Sequence, residues 1–218
     1  MTIATVMVRM TTAKILKAYR LLFVALMVMA VAALHVLVVA VLLEAGKASD
    51  ATRDESIWLN TAEFISWSNP EVFAEQARYH RKHALLQQEQ NLSEKPHLKT
   101  SLNYWQQAQA ASPLWPYYQL ASLDIEVLLA SPAEAIQKRI SSILNLAPNE
   151  RGLDKYLLQL SFIAWPKLNE SQQQYMLALL KKSNNGVLSF VYKKAKEAGH
   201  HQAICLNLPW KKVRRLCR

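Results

Sequence analysis

Between Leu21 and Leu43 the chain runs 23 residues without an Asp, Glu, Lys or Arg. As a helix rising about 1.5 Å per residue, such a stretch extends about 35 Å. That crosses a bilayer core of about 30 Å with some tilt. Arg9, Lys14, Lys17 and Arg20 precede the stretch with no acid among them, whereas Glu44, Asp50, Asp54 and Glu55 follow it, mixed with Lys47 and Arg53. The positive-inside rule therefore predicts a cytoplasmic N-terminus. A cleaved secretory signal competes, because Gly46, Lys47 and Ala48 imitate a small-residue cleavage site. The apolar region of such a signal is about 7 to 15 residues, far shorter than this one, so an uncleaved anchor is the preferred reading. The expected plan is a cytoplasmic segment over 1–20, a transmembrane helix over 21–43 and a polar linker over 44–53. Everything after it lies on the far side of the membrane, in a bacterial periplasm. His35 falls inside the span, where a neutral imidazole facing a partner helix, or nothing in particular, is favoured over a functional ionisable group.

The remaining sequence reads as one helical domain. Of the 218 residues 51% are hydrophobic and only 4 are Gly, a composition poor in the turns that hairpin-built folds require. The formal charge of +10 is uneven: residues 44–180 carry 12 basic against 15 acidic side chains, and residues 181–218 carry 10 against one. A basic end of this kind suits anionic lipid, an acidic protein or an acidic polymer. The predicted topology argues against nucleic acid, since it puts this end outside the cytoplasm.

Helices are expected over about 55–67 and, with Asn69 as cap and Pro70 in first position, from there to about Gln90. A polar loop at 87–95 ends at Pro96. An internal repeat then appears. Leu102, Trp105, Ala108 and Ala111 share one helical face and stop at Pro113; Ile136, Ile140, Ile143 and Leu146 do the same and stop at Pro148, 35 residues later. Between them Tyr117, Leu120, Ala121, Leu123, Val127 and Leu128 supply a second helix. The unit is a helix-turn-helix close to the tetratricopeptide period. Further helices over 153–164, 169–182 and 187–198 complete an all-α domain over 54–198, roughly seven soluble helices stacked in pairs. A basic tail over 199–218 follows.

No spacing calls for catalysis or a cofactor: there is no Gly-rich phosphate loop, nucleophile elbow or His-Glu-x-x-His pair. Asp124 and Glu126 fall inside a helix rather than on a loop after a strand, and an enzyme acting on a polymer would need a carboxylate pair in an acidic cleft. His80 and His83 share a helix face; two ligands are too few for a metal site, so a solvated face is expected. His200 and His201 read as a helix end. Trp115, Tyr117 and Tyr118 form the densest aromatic cluster, either repeat core or a platform for sugar or a partner. In the tail, Trp210, Lys211, Lys212, Arg214 and Arg215 interleave with Leu208, Val213 and Leu216. This suits a membrane interface or partner contact, or equally a tail packed on the last helices. Cys205 and Cys217 pair in an oxidising compartment; the alternative is two separate core thiols.

The segments Ala110-Ala111-Ser112-Pro113-Leu114-Trp115-Pro116-Tyr117, Leu146-Ala147-Pro148-Asn149-Glu150-Arg151-Gly152 and Ala164-Trp165-Pro166-Lys167-Leu168, with the two tail cysteines, resemble the VpsP family of bacterial polysaccharide-biosynthesis accessory proteins. The likeness covers about residues 98–218 and the anchor-first layout. It implies a non-enzymatic component of exopolysaccharide or capsule assembly in the inner membrane, beside polymerases, glycosyltransferases or export proteins. The alternative is an ancillary envelope chaperone attending a secretion translocon.

Overall fold

The computed structural model describes the backbone of residues 3–48 and 56–218, with side chains from Tyr19 onward within those ranges. The side chains of Arg9, Lys14 and Lys17, and the acidic and basic residues between Asp50 and Glu55, lie outside the described residues. Everything described is helix, turn or loop. Helix α1 (Ile3–Lys47) is 45 residues long, and its stretch from Tyr19 to Lys47 is long and apolar enough to cross a membrane. Helicity continues four residues past Leu43, so the expected linker starts inside the helix.

The domain that follows comprises α2 (Ile57–Ile65), α3 (Pro70–Glu89), α4 (Lys95–Ala111), α5 (Pro116–Leu128), α6 (Ala133–Leu146) and α7 (Arg151–Ile163). After a 3-10 turn at Trp165–Lys167 come α8 (Glu170–Lys182), α9 (Asn185–Glu197), α10 (His201–Asn207) and α11 (Trp210–Val213). Two of these ten helices, α10 and α11, lie in the basic tail, where none was expected.

The helix starts follow from the sequence. Asn69 Oδ1 accepts from the Glu71 amide at 3.0 Å, Asn169 Oδ1 from Gln172 at 2.9 Å and Asn184 Oδ1 from Val187 at 2.9 Å. Each cap satisfies an amide that would otherwise lack a partner, worth about 1 kcal/mol. The 35-residue repeat recurs in the backbone. The Ser112 amide closes α4 on Ala108 O at 2.9 Å and the Ala147 amide closes α6 on Ile143 O at 3.0 Å; Leu129 and Ala164 end α5 and α7 on Ile125 O and Leu160 O in the same way.

Helix α3 pairs with α4, α5 packs between α4 and α6, and α5, α7 and α9 touch in succession. Two apolar cores result. Ala74, Ala77, Leu98, Trp105, Ala108 and Ile125 fill the first, and Leu123, Ile136, Ile140, Leu158, Phe162, Met176 and Leu188 belong to the second. Ile204, Leu208 and Val213 are buried in the second core too, so the tail is part of the domain.

Candidate interaction groove

The odd-numbered helices α3, α5 and α7 leave an open groove of about 500 Å³ between them, lined by Arg78, Arg81, Tyr117, Leu120, Ala121, Asp124, Tyr156, Gln159 and Leu160. Repeat register explains the lining. Ala121 and Tyr156 are 35 residues apart, as are Asp124 and Gln159, so equivalent positions of α5 and α7 face the same space. Residues i and i+3 on one helix lie one turn apart on a common face. Arg78 and Arg81 therefore add a third pair of rungs from α3. Arg81 Nε donates to Asp124 Oδ2 at 2.5 Å, and the Arg78 guanidinium lies 5.5 Å over the Trp105 ring and pairs with Glu75. Tyr156 is half exposed, while Leu120 and Leu160 give the groove an apolar floor. Such a surface can stack on a planar or ring-shaped group while an Arg meets an acceptor beside it.

The aromatic cluster divides. Tyr117 lines the groove with Trp115 beside it, ring centroids 5.3 Å apart, and both are exposed. Tyr118 is not available to a sugar or partner: it is buried, 5.9 Å from the Trp105 ring, and its hydroxyl donates to Glu71 Oε1 at 2.6 Å. Burial first, and then that carboxylate, push its phenol well above the usual range. Adjacent residues on a helix point about 100° apart, which is why neighbouring tyrosines have opposite fates. Gly152 supports the rim. A Cβ there would stand 2.6 Å from the Tyr117 hydroxyl, and the Gly152 amide caps α7 by donating to Glu150 Oε1 at 3.1 Å.

The other sequence candidates take structural roles. His80 and His83 are buried rather than solvated, because α4 folds back over α3. His97 stacks on them with centroids 5.8 and 4.0 Å away, and Tyr104 stacks on His80 at 5.7 Å. No group of three or more metal-ligating side chains gathers into a metal site among the described residues. Glu126 is buried on Arg139, whose Nη2 donates to Oε1 at 2.7 Å while Nη1 donates to Gln109 Oε1 at 2.8 Å and Gln119 Oε1 at 2.5 Å. This network ties α4, α5 and α6 together. Arg139 lies 13 residues beyond Glu126 on another helix, with no local sequence signal to announce it.

In the tail, Cys205 and Cys217 form a disulfide with an S–S distance of 1.98 Å and Cα atoms 5.8 Å apart. Lys212 reaches the end of α8, donating to Ser183 O at 2.8 Å and to Lys181 O, a cation on carbonyls left unpaired by a helix terminus. Lys211, Arg214 and Arg215 line a second cleft of about 420 Å³ with Asn185, Leu188 and Ser189, and Trp210 is exposed. His200 Nδ1 lies 3.2 Å from Phe162 O, a contact across the end of α9.

No protein-family model, curated protein or solved structure matches this chain.

Proposed function

We propose that this chain is a single-pass inner-membrane scaffold whose helical domain, in the periplasm, holds a partner during bacterial exopolysaccharide or capsule assembly. The groove between α3, α5 and α7 carries the reading: equivalent positions of successive helices present Arg78, Arg81, Tyr156 and Gln159 to one open space. Stacked helical hairpins use such faces to hold extended or helical segments. The groove cations are already ion-paired or stacked on rings, which suits binding better than proton transfer, and the protein acts here as a non-enzymatic component. The resemblance to VpsP-type accessory proteins supplies the polysaccharide setting. The cationic cleft at Lys211, Arg214 and Arg215 gives the domain a second surface, for acidic polymer or anionic lipid.

Crosslinking in cells, followed by detergent extraction and identification of captured proteins, tests this reading. Recovery of a polymerase, chain-length regulator or glycosyltransferase, lost in an Arg81→Ala/Tyr156→Ala variant that still accumulates, is the expected result. Recovery of the secretion translocon with unfolded clients would replace the scaffold by a chaperone. Retained binding but abolished polymer in a groove variant would point to catalysis.

A further inference from the structure

After leaving α1, the chain turns back along it. Leu59, at the start of α2, sits against Gly46 so closely that a Cβ on Gly46 would stand 2.3 Å from Leu59 Cδ2. Ala62 and Ile65 then pack with Val39, Leu42 and Leu43, and the Trp67 ring ends 5.5 Å from His35. Helix α2 thus runs antiparallel to α1 and descends its apolar end. At about 1.5 Å per residue, His35 lies on the order of 18 Å below Lys47.

The sides of α2 are sharply divided. Its one charged residue, Glu63, faces the domain, accepting from Gln76 Nε2 and the Tyr104 hydroxyl at 3.1 Å each, and Asn60 accepts from Gln76 at 2.8 Å. On the other side Ile57 is 74% exposed, Phe64 89% and Trp67 88%, with Trp58 half exposed. Thr61, between them, turns its hydroxyl back onto Ile57 O at 2.7 Å. Val36 and Val38 of α1, which flank the buried Val39, are exposed as well, so apolar side chains stand on α1 beside its contact with α2. Charged groups gather at the opposite end, where Lys47, Glu75, Arg78 and Lys82 surround the start of α2. A tight reversal aims Trp67: Trp67 and Ser68 both have left-handed backbones, φ 47° and 67°, an uncommon choice for non-glycine residues that persists where surroundings impose it.

We propose that α2 is a second membrane element, embedded in the leaflet on the domain side with Ile57, Trp58, Phe64 and Trp67 among lipid acyl chains and headgroups. The occupant is the bilayer that α1 crosses, because α2 packs along α1 between Gly46 and His35, within its apolar stretch. Aromatic residues favour this depth, and a helix with one apolar face and one satisfied polar face suits it. The domain is therefore seated on the membrane rather than hung from a linker. The proposal rests on α1 spanning the bilayer.

Site-directed labelling of the full chain in lipid vesicles tests both levels separately. Variants with one added cysteine, Val28→Cys, Phe64→Cys and Leu206→Cys, are labelled with an environment-sensitive fluorophore, with Cys205 and Cys217 protected as the disulfide. Emission is then read with and without doxyl-labelled lipid. Val28→Cys and Phe64→Cys should both lose most of their emission, and Leu206→Cys, on the exposed far end of the domain, should not. Loss at Val28→Cys alone would overturn the embedded α2 while leaving the anchor in place, and would leave this face to a second copy or another protein. No loss at Val28→Cys would remove the membrane-spanning reading and the proposal with it.

Discussion

Glu126 shows how a carboxylate that looks reactive in a sequence can be bound up in the fold. With its charge buried on Arg139, truncation leaves a cation without its counter-ion inside the domain. Glu126→Ala should cost about 3–5 kcal/mol in denaturant unfolding of the detergent-solubilised protein. Tyr118→Phe removes the donor to Glu71 without changing ring packing, and should cost about 1–2 kcal/mol in the same assay. Asp154 behaves differently. Burial is the largest influence on it and raises its pKa, Arg151 lowers it and Glu150 raises it further. The folded state thus holds this proton more tightly than the unfolded chain. The associated stability is fully present below 3.8, the ordinary value of an aspartate, and is lost as pH rises through the raised folded value. Asp154→Asn should therefore raise the melting temperature more at pH 7 than at pH 3, where both side chains are neutral. The partners of Glu126 and Tyr118 were not legible in the sequence, since they meet through helix packing, whereas Arg151 and Glu150 lie within about one helical turn of Asp154. Tyr117 was legible as a member of the aromatic cluster, but only three-dimensional packing separates it from Tyr118.

The helices themselves were largely legible, because their limits are written in short-range chemistry. Asn69-Pro70, Asn169 and Asn184 cap helices as their residue types require, and Pro113 and Pro148 mark the 35-residue repeat whose caps recur in the backbone. The tail was read less well. Its pattern suited a membrane or partner contact and a tail packed on the last helices equally, and Leu208 and Val213 anchor it in the core while Lys212 caps α8. Those contacts span about 30 residues, beyond the reach of helical periodicity. The disulfide ties α10 to the chain end after α11. Its loss in Cys205→Ser/Cys217→Ser should lower stability by about 2–3 kcal/mol, the lower part of the usual range because the closed loop is short. Because Val213 and Lys212 still hold the tail, the helical content of the oxidised and reduced protein should remain close by circular dichroism, while urea midpoints separate. A tail held by the disulfide alone would instead show reduced helicity with an unchanged midpoint.

At the scale of the whole molecule, the charges on either side of the apolar stretch bear on which way the helical domain faces. Four basic residues stand before the apolar stretch, and the excess of basic charge at the other end comes only after about 137 residues of nearly balanced charge. The positive-inside rule weighs charges close to the span, so the first group dominates and the distant one does not compete. A fusion of alkaline phosphatase to Arg218 in a bacterial host should consequently be active, and a cytoplasmic fluorescent reporter at the same point should be dark. Replacing Arg9, Lys14, Lys17 and Arg20 by Gln should weaken this preference and make a mixed population of orientations. The opposite pattern for the unaltered chain, a bright reporter and an inactive phosphatase, would place the domain in the cytoplasm. It would also put the Cys205–Cys217 pair in a reducing compartment, where such bonds rarely persist. Topology, disulfide and polysaccharide setting thus stand or fall on one measurement, whereas the groove between α3, α5 and α7 is the same on either side of the membrane. An active phosphatase, with an oxidised cysteine pair in protein taken directly from cells, is the joint outcome expected of a domain that works outside the cytoplasm.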